Sequence, residues 1–197
     1  MSQVARTEAT RHAILDAAVA LYQSQGVERT TVSAVIAASG VGRTTFYRHF
    51  DDQDDVLSNA LRRDFEQLLS EFEAQRFEHS ALEAQIVEDM VWFVRQLSTR
   101  PALSLLFGSQ KNLLFERMHT TLGEFRHAGM TCARPTFERA VREGRLRQGV
   151  TLESYIDWVT FVVTSLEVVA APFSRDDFRL RDMLRNFLVP SLIKDPV

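Results

Sequence analysis

Basic and hydroxyl-bearing side chains fill a stretch between Ser39 and Phe50 that contains no acid. Guanidinium, hydroxyl, phenol and imidazole groups donate hydrogen bonds to phosphate oxygens and to the edges of bases. Phe46 and Phe50 are four residues apart and fall on one face of a helix, which leaves the polar groups on the other. The stretch therefore predicts a short helix with a nucleic-acid-binding face. That face holds Arg43, Thr44, Thr45, Tyr47, Arg48 and His49.

A second short helix precedes this one and ends in a tight turn. Thr31 is suited to cap its start, since a threonine hydroxyl accepts from a free N–H of the first turn. Val32, Val35 and Ile36 then recur at helical spacing. Gly40 is suited to end the helix, because glycine adopts the left-handed conformation without a steric clash. Two short helices joined in this way predict a helix-turn-helix with a recognition helix.

The first quarter of the chain resembles the tetracycline-repressor (TetR) family of transcriptional regulators. The matching residues are Arg11 to Ala18, Gly26, Thr30-Thr31-Val32, Ile36-Ala37, Gly40-Val41, Thr45 to Phe50 and Val56-Leu57. The resemblance implies an all-α protein: an N-terminal three-helix DNA-binding domain followed by a helical body with a small-molecule cavity. It also implies a base contact for the residue at Arg43 and phosphate contacts for those at Thr45, Tyr47 and His49.

Two departures from the family pattern concern the DNA-binding residues. The family often enters its recognition helix through Ser-X-Gly, where this chain has Gly42-Arg43-Thr44. It often carries a phosphate-binding lysine shortly after that helix, where this chain has Gln53. The predicted DNA-contacting set comprises Thr31, Gly42, Arg43, Thr44, Thr45, Tyr47, Arg48, His49 and Gln53.

Composition favours a helical globular protein. The 197 residues are 45% hydrophobic and include only 8 glycines and 5 prolines, which excludes a mainly disordered chain and disfavours turn-rich sheets. No apolar run approaches the ~20 residues of a membrane span, and the N-terminus lacks an apolar signal core. Cys132 is the one cysteine, so we expect a reducing, cytoplasmic location and no membrane partner.

Charge is distributed unevenly along the chain. Residues 1–50 carry five arginines against three acids, a balance of +2, while the whole chain carries −3, which leaves −5 for the remainder. A basic end on an acidic body suits a small DNA-reading domain. The predicted division is 1–53 for DNA binding and 54–197 for regulation and dimerisation.

Helical patterns continue on both sides of the helix-turn-helix. Residues 1–6 are expected to form a mobile arm, and Thr7 or Thr10 to cap a first helix that ends near Gln25. Arg6 and Arg11 could reach phosphate. Four aspartates and a glutamine in 51–55 predict the start of a long helix, which we expect to connect the DNA-binding domain to the body.

The segment 155–169 is apolar almost all round, so it should be buried on more than one side. In a body of this size, we expect the second side to face another subunit. We therefore expect a homodimer that uses the helices at 152–171 and 178–190. Glu167 is an isolated acid in this segment; it is either paired at the subunit interface or faces a ligand.

Fourteen phenylalanines are many for this length. Singly, each large side chain is more often core than ligand contact. Together with the resemblance, the excess predicts a cavity for a largely apolar small-molecule effector. The predicted lining comprises some of Trp92, Phe93, Phe107, Phe115, Met118, His119 and Trp158.

Two alternative functions remain open. Glu116 with His119, and Glu124 with His127, spell Glu-x-x-His, the spacing of ligands in helical di-iron proteins. Both pairs lie in one predicted helix, and its histidines are about 12 Å apart at 1.5 Å per residue, so one metal centre cannot use both. A metalloenzyme is therefore the second hypothesis for the function, after a DNA-binding regulator. The third is an adaptor of the same fold that has lost DNA binding. We expect no enzyme activity, metal or cofactor, and a repressor that binds a palindromic operator as a dimer.

Overall fold

The computed structural model describes residues 3–75, 79, 81–107, 119–169 and 172–195, and within them the chain is helical, as predicted. The only β-type pairing in these residues is an antiparallel bridge between Leu146 and Ile193. The α-helices are α1 (Gln3–Gln25), α2 (Val32–Ser39), α3 (Arg43–His49), α4 (Gln53–Ala74), α5 (Leu82–Leu97), α6 (His119–Arg142), α7 (Leu152–Val168), α8 (Asp177–Met183) and α9 (Val189–Leu192). Short 3-10 helices lie at Leu103–Phe107 and Pro172–Arg175, and a π-helical turn joins α8 to α9 at Leu184–Leu188.

The chain forms two compact units. The first comprises Met1–Glu66 and Arg100–Thr121, and the second comprises Gln67–Thr99 and Leu122–Val197. Helix α4 contributes residues to both. The functional division after residue 53 stays a prediction.

The first unit buries one face of α1 together with the rings of α3. The buried residues of α1 are Ile14, Leu15, Ala18, Val19 and Tyr22, while Ala17 and Leu21 are only half-buried. Large apolar side chains here bury enough surface to stabilise the unit by about 1.5–3 kcal/mol each. The buried apolar side chains of this unit include Ile14, Tyr22, Val27, Val35, Phe46, Phe50, Val56, Leu57 and Leu61.

The start of α1 differs from the expectation of a mobile arm. The helix already begins at Gln3, and neither Thr7 nor Thr10 caps it. Their hydroxyls instead donate to the carbonyls four residues earlier, at 3.0 Å and 2.9 Å, a pattern that threonine adopts inside helices. The predicted cap was wrong because the helical hydrogen-bond ladder extends a further turn toward the N-terminus.

The segment at 100–107 packs within the first unit. The buried Asp64 carboxylate on α4 accepts the Ala102 N–H at 2.6 Å, and the Gln23 side chain on α1 donates to the Pro101 carbonyl at 3.1 Å. Leu103 is buried in the same segment. Polar bonds to α1 and α4 thus fix a stretch of chain that is remote from both in sequence.

The second unit encloses its own apolar core, drawn from α5 to α9. Helix α7 begins with a capping box in which Thr151 and Ser154 satisfy each other's backbone N–H groups, as in the general motif. An ion pair between Arg145 and Glu83 joins the loop after α6 to α5 and holds the pKa of Glu83 below its usual value. The core residues include Leu82, Ile86, Val87, Met90, Val94, Tyr155, Val163, Leu180, Leu184, Leu188 and Leu192.

The last helical stretch continues through Pro190, where the sequence predicted an end. Pro190 lies in the first turn of α9, directly after the π-helical turn. A proline is tolerated in the first turn of a helix because its missing N–H is not needed there. Its carbonyl accepts from Arg147 at 2.6 Å, which ties the C-terminal stretch to the loop before α7.

Candidate nucleic-acid interface

The turn between α2 and α3 has the geometry that the sequence predicts. The Ala34 N–H donates to the Thr31 hydroxyl at 3.2 Å, which caps α2. Gly40 ends α2 with φ +68° and ψ 12°, the left-handed conformation. Gly42 precedes α3 in an extended conformation and offers no side-chain cap. The turn is therefore set by local backbone preferences.

Two buried rings orient α3. Phe46 and Phe50 are both buried, and their ring centroids lie 6.0 Å apart. Because they occupy one face, the opposite face of the helix must point to solvent. Arg43, Thr44, Tyr47 and Arg48 are exposed, and Thr45 and His49 are half-buried. The structure thus brings the predicted DNA-binding residues of α3 together on one surface.

Arg43 is supported by its neighbour one turn later. Its guanidinium lies over the Tyr47 ring, 5.4 Å from the centroid, and the Tyr47 ring packs edge-on against Phe46 at 5.3 Å. A cation over an exposed aromatic ring contributes about 0.5–1 kcal/mol. The buried ring of Phe46 therefore supports Tyr47, which in turn supports the arginine predicted to read a base.

His49 is less outward than the sequence suggested. Its Nε2 is buried and makes no hydrogen bond within the described part of the chain. Burial lowers the pKa of the imidazole, and the nearby charges of Arg48 and Arg11 lower it further, against a smaller opposing effect from Glu8. The lowered pKa favours the neutral form of the ring in the free protein.

Gln53 is placed differently from the other predicted DNA contacts. The side-chain amide of Gln53 donates to the Val27 carbonyl at 2.5 Å. The backbone carbonyl of Gln53 accepts from the Tyr22 hydroxyl at 3.4 Å. The side chain is thus engaged inside the first unit. The start of α4 beside it is capped by Asp52, which accepts the Asp55 N–H at 2.9 Å. The expected side-chain contact to DNA did not allow for this internal bond.

Arg11 has a supporting role that the sequence did not reveal. Its guanidinium stacks over the Phe50 ring at 4.9 Å and donates to Asn59 Oδ1 at 2.5 Å. It therefore holds α1 against α3 and α4, and the phosphate contact suggested for it stays a prediction. A second link joins α1 and α4, because Arg63 donates to Asp16 at 2.7 Å. Partners 47 or 48 residues apart leave no local sequence signal.

The second unit brings together two of the predicted effector-binding residues. Trp92 and Phe93 pack against Phe72, with ring centroids 5.3 Å and 4.6 Å from it. Trp92 borders a cleft of about 360 Å³, and its indole N–H donates to Gln75 at 3.2 Å. The cleft thus has an aromatic wall.

Charged side chains also line the cleft. Arg181 holds Glu88 through two bonds of 2.8 Å and 2.9 Å. This pairing lowers the pKa of Glu88 and raises that of Arg181. Arg95 similarly pairs with Asp177 across α5 and α8. These charges compensate one another in the free protein.

The remaining predicted effector-binding residues lie elsewhere or cannot be placed. Phe107 is half-buried in the first unit. Trp158 is exposed on α7, where it stacks on Phe161 at 5.6 Å and donates to Ser191 at 2.8 Å. Phe115, Met118 and the His119 side chain lie outside the described residues.

The Glu-x-x-His pairs form no metal site in the part that is described. Glu116 and the His119 side chain fall outside it, and Glu124 and His127 are both exposed on α6. Among the described residues, no three His, Cys, Asp or Glu side chains converge to hold a metal ion. In the same residues, no helix is long and apolar enough to cross a membrane.

Comparison with known proteins places the helix-turn-helix in a family. Residues 14–60 match the family described as bacterial regulatory proteins, tetR family. The regulator AcrR of Shigella flexneri is 43% identical over 49 residues, which are 25% of this chain and 23% of that protein. The repressor BepR of Brucella suis is 35% identical over 71 residues, which are 36% of this chain and 34% of that protein. The matched stretches span about a quarter to a third of these relatives.

Solved structures show the same fold over nearly the whole chain. SmeT, the repressor of the Stenotrophomonas maltophilia multidrug efflux pump SmeDEF, has a TM-score of 0.68 at 22% identity and covers 96% of this chain and 93% of its own. Salmonella enterica GusR has a TM-score of 0.70 at 21% identity, with 91% and 95% covered. At such identities the likeness concerns the fold alone.

Proposed function

Since this chain belongs to the tetR family of bacterial regulatory proteins, we propose that it is a transcriptional regulator that binds operator DNA through α3. One observation carries the proposal: Phe46 and Phe50 fix α3 so that an acid-free face with Arg43 and Arg48 points to solvent. A helix presented in this way fits the major groove. Residues 1–53 are then the DNA-binding domain and 54–197 the regulatory domain. Such a regulator acts in the cytoplasm, where its DNA lies.

Arg43 is the residue proposed to read a base. It stands first in α3, and the N-terminal residues of a recognition helix contact base edges. A guanidinium donates two parallel bonds to guanine O6 and N7, so guanine is the expected partner. Thr31, Thr45, Tyr47 and His49 are proposed to hold the phosphate backbone. Their hydroxyl, phenol and imidazole groups suit phosphate oxygens.

Replacing Arg43 with alanine tests this assignment. We expect a loss of about 1–3 kcal/mol per half-site on the preferred operator and a relaxed preference at one base pair. The control is Tyr47→Phe, which should weaken binding to all sequences alike. The operator is first selected from random DNA with the wild-type protein. Each variant is then titrated against this operator and against operators that carry single-base changes. Uniform loss of affinity by the Arg43 variant would show that Arg43 contacts only phosphate.

The second unit is proposed to join two copies of the chain. Exposed apolar rings lie on α7 and on the stretch from α8 to α9: Phe161 is 61% exposed, Phe178 81% and Phe187 67%. Large apolar groups exposed together mark an interaction surface. Two DNA-binding domains would read the half-sites of a palindrome about 34–36 Å apart. Light scattering should show a dimer at micromolar concentration, and Phe161→Glu should yield a folded monomer; a wild-type monomer would contradict the proposal.

A small, largely apolar effector is proposed to control DNA binding by this dimer. The aromatic cluster of Phe72, Trp92 and Phe93 supports a site in the second unit. SmeT, which shares the fold, has been solved as a complex with triclosan. An effector shifts the equilibrium only if it binds one conformation more tightly than the other. The proposed action is repression, as in the relatives named repressors, and the effector relieves it by favouring the conformation that does not bind DNA.

A further inference from the structure

Positive charge gathers where α1 meets the C-terminal end of α3. His49 is half-buried there, the exposed Arg48 precedes it, and Arg11 of α1 stacks over the adjacent Phe50. Glu8, one turn before Arg11 on α1, supplies an opposing charge that acts on the imidazole. The site therefore carries two guanidinium groups and one carboxylate around a titratable ring.

Helix α4 holds this arrangement in place and contributes further charged groups. Asn59 accepts from Arg11 and, at 3.0 Å, from Arg62. Its amide nitrogen donates to Asp55 Oδ1 at 2.7 Å. Phe50 and Asn59 thus hold the Arg11 guanidinium at the residue next to His49 in the free protein.

We propose that His49 takes up a proton when the protein binds its operator, so that the junction of α1 and α3 is a proton-linked phosphate site. This inference rests on the DNA-binding function proposed above. A phosphate that contacts Arg48 and His49 brings a negative charge to a ring now flanked by two cations. The phosphate offsets the repulsion from Arg48 and Arg11, which adds to the larger effect of burial in disfavouring the charged ring, and an imidazolium donates a stronger hydrogen bond to a phosphate than a neutral ring does.

The direction of the pH dependence follows from this charge balance. In the free protein the pKa of His49 lies below its usual value because of burial, Arg48 and Arg11. An opposite charge within about 4–6 Å raises a histidine pKa, by about one unit or more. Binding to the operator then takes up protons. The affinity rises as pH falls from the pKa of His49 in the complex to its lower pKa in the free protein. For a rise of about one unit, affinity should increase about tenfold per half-site.

The test is an operator titration between about pH 5 and 8, the range in which histidine changes charge. Wild type and His127→Gln, a control at an exposed histidine of the second unit, should both gain affinity as pH falls. His49→Gln keeps a hydrogen-bond donor but cannot titrate, so the operator affinity of this variant should change little with pH. Equal pH dependence in wild type and His49→Gln would overturn the proposal.

A measurement on the unmodified protein removes any dependence on how the variant folds. The His49 ring protons, followed by NMR, should report a higher pKa in the operator complex than in the free protein. An unchanged or lower pKa on binding overturns the inference while leaving DNA recognition intact. Absence of sequence-specific binding at every pH would overturn the proposed function and this inference with it.

Discussion

Replacing Gly40 with alanine should destabilise the first unit through backbone strain alone. Gly40 has φ +68°, and a Cβ built on it would meet nothing within 4 Å. The left-handed conformation costs an L-residue about 1–2 kcal/mol. Alanine also lowers the entropy of the unfolded chain, which offsets about 0.4–1 kcal/mol. We expect a net loss of about 1 kcal/mol in the free energy of unfolding, because the end of α2 is forced into a conformation that alanine resists.

Gly42, two residues later in the same turn, provides the matched control. Its φ is −72°, and an added Cβ would lie no closer than 4.0 Å to Thr45 Oγ1. Alanine fits this conformation without strain. Its lower unfolded-state entropy and its poorer quality as an N-cap oppose each other, so the stability should change by less than about 0.5 kcal/mol. Both variants add one methyl group to the same turn, and only Gly40→Ala places alanine in a left-handed conformation.

The assay is urea unfolding, in which hydrogen exchange at the amides of α1 to α3 reports the stability of the first unit. Tryptophan fluorescence does not serve here, since Trp92 and Trp158 both belong to the second unit. Operator affinity should fall with Gly40→Ala, because this turn sets the direction of α3. If both variants change the stability of the first unit equally, the left-handed conformation of Gly40 is not what the turn requires, and the reasoning fails.

Two further changes test buried groups. Asp64→Ala should lower the free energy of unfolding by about 1–3 kcal/mol, because the Ala102 N–H loses its buried acceptor; urea unfolding should show less than half that loss in Asp64→Asn, which keeps an acceptor oxygen. Burial raises the pKa of Glu167, against smaller opposing effects from Ser98 and Arg95. This carboxyl therefore stabilises the fold when protonated, and that contribution is lost as pH rises from its unfolded pKa through its folded pKa. Glu167→Gln should consequently be more stable than wild type at pH values above both, and denaturation across acidic to neutral pH should show the two curves converging at low pH; parallel curves would contradict the assigned cause.

The helix-turn-helix could be predicted from the amino-acid sequence alone. The Thr31 cap, the left-handed Gly40 and the shared burial of Phe46 and Phe50 all depend on residues within four positions of one another. At this range the backbone geometry of a helix fixes which side chains meet, so spacing suffices. The acid-free outer face of α3 follows directly, since the two rings leave it no other direction.

The contacts that support the acid-free face of α3 depend on the tertiary structure and could not be predicted from the sequence. The Gln53 amide bonds the Val27 carbonyl, Arg11 stacks over Phe50 and bonds Asn59, and both placements bring together residues more than 25 positions apart in the chain. Such pairings depend on how helices pack, and each arginine or glutamine was equally compatible in sequence with solvent or with phosphate. The lowered pKa of His49 belongs to the same class, because its largest cause is burial, and Arg11 and Glu8 on α1 also contribute; neither follows from spacing along α3.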